Sequence, residues 1–356
     1  MTNEIVRQRL ANQRIVGATN ADPAKLVAWL GVVQAQEYGP AKWGLAQRLA
    51  GAVTDAKIQR AFDAGKILRT HVLRPTWHFV TPADIHWMLE LSVARVHRAM
   101  SNYDRQLGLD ASIFLKAARV CERVLRDGQF LTRRELGVHF AKAGLPSTSW
   151  ALGHTALYIE LEGVICSGPR RGKQSTYALL AERAPRTIRL SRDEALAELA
   201  RRFFRSHGPA TLRDFVWWSG LTTLDAKRGL EMNRVTKQIV DGTTYWSLGG
   251  SRARPRQPLV NLLPIYDEYL VAYRDRIAVP YGPSMVPSRA GGFVKFQHAL
   301  TIGGQVAGTW RIAVRSKGVQ VNVAPLRRLT PIERRALERE VARYGRFLGS
   351  PASLSV

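Results

Sequence analysis

Between positions 22 and 34 the apolar residues are Leu26, Val27, Trp29, Leu30, Val32 and Val33, and Leu26, Leu30 and Val33 return to one face at helical spacing. The pattern predicts a helix over residues 22–34, with Asp22 as N-cap and Pro23 in the first turn. A second helical stretch, residues 55–65, runs into residues 67–80, where Thr70, His71, Val72, Thr76, Trp77, His78, Phe79 and Val80 favour strands and Pro75 is placed at the turn. Helices followed by a strand pair are the order of a winged helix.

The order recurs twice. From Phe114 a helical segment leads past Gly128 to Thr132-Arg133-Arg134-Glu135-Leu136, a helix over residues 149–162, and strands flanking a wing at residues 168–174. From Asp193 a helix leads past His207-Gly208 to Thr211-Leu212-Arg213-Asp214-Phe215, a helix from Thr222, and strands around Asp241-Gly242. In both copies a Thr stands three residues before an acid, the spacing at which Thr caps a helix and the acid returns the bond. Strands between the helices and unequal spacing favour tandem winged helices over a solenoid. After Pro258 the texture changes to apolar runs at residues 259–263, 293–301, 305–314 and 319–323, then a basic helix over residues 331–348. The expected fold is α+β and predominantly helical: a first winged-helix unit with a connecting helix (1–110), a second (111–190), a third (191–255), and a small β-rich C-terminal domain with a terminal helix (256–356). Arg254-Pro255-Arg256-Gln257-Pro258 reads as the linker before the last.

Charge adds a partner. The 356 residues carry 53 Lys and Arg against 28 Asp and Glu, a formal charge of +25, and the basic residues cluster at Arg170, Arg171 and Lys173, at Arg201, Arg202 and Arg205, at Arg252, Arg254 and Arg256, and at Arg327, Arg328, Arg334 and Arg335. A polyanion is the expected partner. Cys121 and Cys166 lie in apolar surroundings without disulfide or zinc spacing, which fits a reducing cytosol. Residues 2–8 are polar and no run is long enough to span a bilayer, so a cytoplasmic, nucleoid-associated monomer without membrane contact is expected.

Several catalytic sets are excluded. The eight histidines are dispersed, with no His-Glu-x-x-His, no deaminase-type zinc signature and no carboxylate cluster for two metals. Gly168-Pro-Arg-Arg-Gly172-Lys173-Gln-Ser175 is one residue short of a phosphate loop and lacks Ser or Thr directly after Lys173, so a basic wing is the better reading. There is no Gly-x-Ser-x-Gly elbow. No metal and no cofactor are expected.

What remains is Gln34-Ala35-Gln36, just before Gly39-Pro40. On a continuing helix the two glutamines point roughly 200° apart, so they serve one site only where the helix ends or distorts. Taken by themselves, two amides also suit the capping and cross-linking of a helix end.

Gln34-Ala35-Gln36 with Tyr38, Pro40, Trp43 and Gly44, then Leu73-Arg74-Pro75-Thr76-Trp77-His78, resembles the AlkZ-type family of bacterial winged-helix DNA glycosylases. Asp214-Phe215-Val216-Trp217-Trp218-Ser219-Gly220-Leu221, Leu263-Pro264-Ile265-Tyr266-Asp267-Glu268-Tyr269-Leu270, Arg274-Asp275-Arg276 and Gly303-Gly304-Gln305-Val306-Ala307-Gly308-Thr309-Trp310-Arg311 extend the resemblance over nearly the whole chain. It implies that Gln34 and Gln36 are a catalytic pair. It also implies double-stranded DNA bearing N-alkylated purines or interstrand crosslinks as substrate, and a role in protecting producers of DNA-damaging natural products. A cationic N-alkylpurine leaves as a neutral base, so no strong general acid is required. Two amides then have to hold a water and stabilise an oxocarbenium-like sugar. No lysine is placed as a Schiff-base nucleophile, so base release without strand cleavage is expected.

Lys42, Arg69, His71, Arg74, His78, Arg170, Arg171 and Lys173 are the candidate DNA contacts, although alternation around His78 also suits a half-buried strand. Trp77, Trp217 and Trp218 are read as core, and Asp267, Glu268, Arg274 and Asp275 suit channel contacts and an ion-pair network joining domains equally well and stand outside the catalytic set. The rival reading is a winged-helix protein that binds DNA without chemistry, as a regulator or an architectural protein.

Overall fold

The computed structural model describes residues 2–186, 188–249, 258–280, 288–290, 293–295 and 297–356. Helices take 46% and strands 20% of the chain, an α+β fold in which helix predominates. After α1 (Thr2–Asn12) come α2 (Pro23–Leu30), β1 (Val33–Gln34), α3 (Tyr38–Ala46), α4 (Asp55–Asp63), β2 (Leu68–Val72) and β3 (Arg74–Val80), with sheet order β1-β3-β2. The long α5 (Ile85–Gln106) leads to α6 (Ala111–Val124), β4 (Leu131–Thr132), α7 (Arg133–Lys142), α8 (Ser149–Leu161), β5 (Ile165–Ser167) and β6 (Thr176–Leu179), with order β4-β6-β5. After α9 (Leu180–Arg183) the chain repeats the pattern in α10 (Arg192–Ser206), α11 (Leu212–Ser219), α12 (Thr223–Glu231), β7 (Thr236–Val240) and β8 (Thr243–Ser247). Here a single bridge, Ala210 to Trp246, replaces the first strand. The three stretches share one order: helix, short strand or bridge, two helices, hairpin.

Local chemistry explains the repeats. Thr132 with Glu135 and Thr211 with Asp214 form reciprocal capping boxes at the starts of α7 and α11, as their spacing predicts. Asp241 and Gly242, at φ 48° and 76°, make the tight turn between β7 and β8. The last part contains β9 (Val260–Leu263), α13 (Glu268–Val271), β10 (Ser288–Ala290), β11 (Phe293–Lys295), β12 (His298–Ile302), β13 (Gln305–Arg315), β14 (Gly318–Pro325), α14 (Pro331–Leu348) and β15 (Ala352–Ser355). Its five-stranded sheet runs β15-β14-β13-β12-β9, the final strand adding in parallel to β14.

Three departures from the sequence reading matter for the site. The helix expected to reach Gln34 ends at Leu30, because Gly31 takes φ +86°, a conformation an L side chain rarely adopts. Pro75 lies on β3, and the hairpin reverses at Leu73 (φ +63°), which is 1% exposed. This tip is packed inward: Gly220 stands so close that a Cβ there would meet the Leu73 carbonyl at 2.6 Å. Gly39 and Pro40 open α3, where Pro in the first turn removes no helical hydrogen bond.

The C-terminal sheet is not a separate body. Leu262, Leu300, Trp310, Val321, Tyr344 and Phe347 share one buried cluster with Leu26, Leu30, Trp43, Phe62 and Phe79 of the first unit. The Trp43 and Gln47 side chains both donate to the Leu262 carbonyl, at 2.7 and 2.9 Å. The second unit has its own core, around Cys121, Leu136, Phe140, Leu152 and Ile165. The expected linker residues Arg254 to Gln257 and the basic cluster at Arg252, Arg254 and Arg256 lie outside the described residues. Among the described residues no helix is long and apolar enough to cross a membrane.

Candidate active site

With α2 stopped at Gly31, the chain leaves it extended and pairs with β3, Val33 opposite Phe79 and Gln34 opposite His78. The Ala35 amide continues the pairing by donating to the Trp77 carbonyl at 2.7 Å. The strand ends at Gln34, and Gln36 stands in the bend that follows. With the helix ended, the Gln34 and Gln36 side chains both reach β3.

Their partners set the amide orientations. Arg74 Nη2 donates to Gln34 Oε1 at 3.2 Å, and the Trp77 backbone N–H donates to Gln36 Oε1 at 3.2 Å. A guanidinium and a backbone N–H cannot accept, so in each glutamine the oxygen is held against β3 and the NH2 turned away from it. Among the described residues neither NH2 group has a hydrogen-bond partner. Gln34 is 9% exposed and Gln36 half-buried, so the pair sits at the edge of the interior.

Behind Gln34 lies a buried polar layer. His78 is fully buried; its Nδ1–H donates to the Thr76 carbonyl at 2.8 Å, and Nε2 accepts from Arg74 Nη2 at 3.1 Å. Burial, then the Arg74 charge, push the imidazole down to about 3, so it is neutral at pH 7. Glu268, at the start of α13, is 1% exposed. Its Oε1 accepts the Gln34 backbone N–H at 2.7 Å, and its Oε2 accepts Trp218 Nε1–H at 3.0 Å and His207 Nε2–H at 3.3 Å. Burial acts to raise this carboxyl, but the donors and the Arg74 charge outweigh it and hold it at about 2. Beside it, Asp267 forms a two-point ion pair with Arg48, at 2.6 and 2.9 Å, with both side chains buried. Gln34, Gly44, Arg48, Tyr266, Asp267 and Glu268 border one narrow cleft.

The remaining candidates separate into three groups. Arg69 is tied to the motif itself: Nε donates to the Ala35 carbonyl at 2.9 Å, Nη2 to the Gln36 carbonyl at 3.2 Å, and the guanidinium lies 4.2 Å over Trp77. Three of the expected DNA contacts are buried. Lys42 is 5% exposed and paired with Asp55 at 2.8 Å and Gln59 at 3.0 Å; His71 is 6% exposed and bound to Glu160; His78 is 0% exposed. Arg74 likewise faces Gln34 and His78. On the second hairpin, Arg171 and Lys173 are exposed, Arg171 paired with Glu135 at 2.6 Å, while Arg170 lies 4.5 Å over the Tyr38 ring.

Of the tryptophans read as core, Trp218 is fully buried. Trp77 is half-buried and borders a pocket with Tyr38, Arg69, Glu160 and Tyr177. Trp217 is 37% exposed, with Arg274 5.4 Å over its ring, and departs from that reading. Glu268 and His207 are the site residues sequence reasoning left aside. The signal for Glu268 was present in the Tyr266-Asp267-Glu268-Tyr269 run, but these acids with Arg274 and Asp275 read equally well as an ion-pair network.

Residues 27–347 match the family described as DNA glycosylase AlkZ-like. An interstrand DNA cross-link repair glycosylase of Streptomyces sahachiroi is 23% identical, over 97% of this chain and 96% of its own. The solved structure of the Streptomyces sahachiroi DNA glycosylase AlkZ superposes with a TM-score of 0.79 at 23% identity, over 99% of this chain and 98% of that one, so the two share a fold.

Proposed function

The chain belongs to the AlkZ-like family of DNA glycosylases, and from that premise we propose that it hydrolyses the N-glycosidic bond of N-alkylated, cationic purines in duplex DNA, with Gln34 and Gln36 positioning the attacking water. The observation that carries this reading is that both amides, two residues apart in sequence, are bonded to β3, each oxygen held by a group that can only donate. Fixing two side chains this way removes the reorganisation that weakens a polar group in solution.

The chemistry balances without a general acid. The C1′–N9 bond breaks with its electron pair going to the purine, which neutralises the positive charge alkylation put there. Water oxygen bonds to C1′ and its proton passes to solvent. The free NH2 groups donate to the oxygen of the water, and the second lone pairs of the amide oxygens accept from it and face the cationic sugar. His78 is neutral and already bound at both nitrogens, so it takes no proton in the reaction. Lys42 is held by Asp55, which fits hydrolysis by water rather than attack by an amine.

The Streptomyces relative is named for interstrand cross-link repair, and we extend that substrate class to this chain, as a monomer acting on one duplex. A duplex joined by an N7-to-N7 guanine crosslink tests it. Wild type is expected to separate the strands and leave an abasic site, and Gln34→Ala/Gln36→Ala is expected to do neither. Separation by both proteins, or by neither on crosslinked and on methylated DNA, refutes the reading. The second outcome would favour DNA binding without chemistry.

A further inference from the structure

Glu268 is a group that this chemistry leaves unused. It is a carboxylate at 1% exposure, reached by donors from three parts of the chain: the Gln34 N–H on β1, Trp218 on α11, and His207 just after α10. Burying an ionised carboxylate costs several kcal/mol, and an ion pair is often no better than an apolar replacement. A glutamine in its place would keep one acceptor oxygen and turn its NH2 against N–H donors at the other, because Gln34 donates to Oε1 while Trp218 and His207 donate to Oε2. The donors around both oxygens therefore explain why an ion rather than an amide stands here.

The carboxylate also holds the backbone of one of the two proposed catalytic residues, and it borders the same cleft as the Gln34 side chain. Cleaving a cationic glycosidic bond moves positive charge from the purine to the sugar, and a fixed, water-excluded anion beside that sugar favours the transfer. We propose that Glu268 is a positioning and electrostatic residue of this active site: through its ion it locks the Gln34 backbone and stabilises the positive sugar. The proposal rests on the glycosylase reading above.

Single-turnover release of N7-methylguanine from a methylated duplex tests it, with duplex affinity and melting temperature measured on the same proteins. Glu268→Gln keeps one acceptor oxygen and removes the charge; it is expected to lower the release rate about 100-fold or more while affinity stays within about threefold. Glu268→Asp keeps the charge and is expected to regain about tenfold over Glu268→Gln. A Glu268→Gln rate within about fivefold of wild type, with Gln34→Ala/Gln36→Ala inactive, overturns the role of Glu268 and leaves the glutamine pair standing. If Glu268→Gln does not fold, a folded Glu268→Asp with a loss of about 100-fold overturns it as well, since the charge is still there. An inactive wild type removes the functional reading and this proposal with it.

Discussion

The Arg48 to Asp267 pair is the clamp that holds α13, and with it Glu268, against the first unit. Both side chains are almost fully buried, at 2% and 1% exposure, and they meet through two hydrogen bonds of 2.6 and 2.9 Å. Arg48 also donates to the Gly44 carbonyl at 2.8 Å and to Gln13 at 3.0 Å, while Asp267 caps α13 at the Tyr269 N–H. Arg48→Met leaves Asp267 charged and alone, a loss of about 3–5 kcal/mol. With an unfolding entropy of roughly 2.1 cal/mol/K per residue, that corresponds to a melting temperature lower by about 4–7 °C. Adding Asp267→Asn relieves the stranded charge, so the double variant is expected to lose about 2–3 kcal/mol less than the sum of the two single losses. Urea unfolding of the four proteins measures the cycle. Strict additivity, or a single variant within about 0.5 kcal/mol of wild type, would refute the clamp.

Three other outcomes follow from the same geometry. His78 has its folded value at about 3, below the ordinary 6.5, so its contribution is complete above pH 6.5 and lost as pH falls toward 3. Glu268 acts in the same direction lower down, between its ordinary value of 4.5 and about 2. Stability is therefore expected to fall by about 2 kcal/mol between pH 7 and pH 5 from His78 alone, and a urea midpoint that does not move over this range contradicts the assignment. Lys173→Ala is expected to weaken duplex binding across sequences and reduce the salt slope by about 1, whereas Lys42→Met should change stability and leave that slope unaltered; salt titrations that reverse this order would show Lys42 reaching DNA. Borohydride should trap no covalent adduct with abasic product, and strand breaks should need added alkali; a trapped adduct would place an amine in the mechanism.

The architecture was legible where local chemistry decides it. Thr132 with Glu135 and Thr211 with Asp214 marked two helix starts, and Asp241-Gly242 marked a hairpin, because caps and tight turns are set by residues close in sequence. The end of α2 was not legible, because Val32 and Val33 continue the apolar pattern and only the backbone at Gly31 breaks it. Nor was the turn at Leu73, a buried residue in a left-handed conformation held by packing against Gly220. Positive charge was read as DNA contact at Lys42, yet Asp55 and Gln59 meet it inside the first unit. The Gln34 and Gln36 pair could be found, but its geometry depends on the pairing of Gln34 with His78 across 44 positions of chain. Glu268 lies still further away, and its approach to Gln34 comes from the shared core of the first unit and the C-terminal sheet.

The most direct test of the account is the release of free N7-methylguanine from a methylated duplex by wild type and by Gln34→Ala/Gln36→Ala, with binding followed in parallel. The account predicts base release with an intact strand from wild type, and a rate lower by about 10³-fold or more from the double variant at nearly unchanged affinity. Equal release by the two proteins would contradict it.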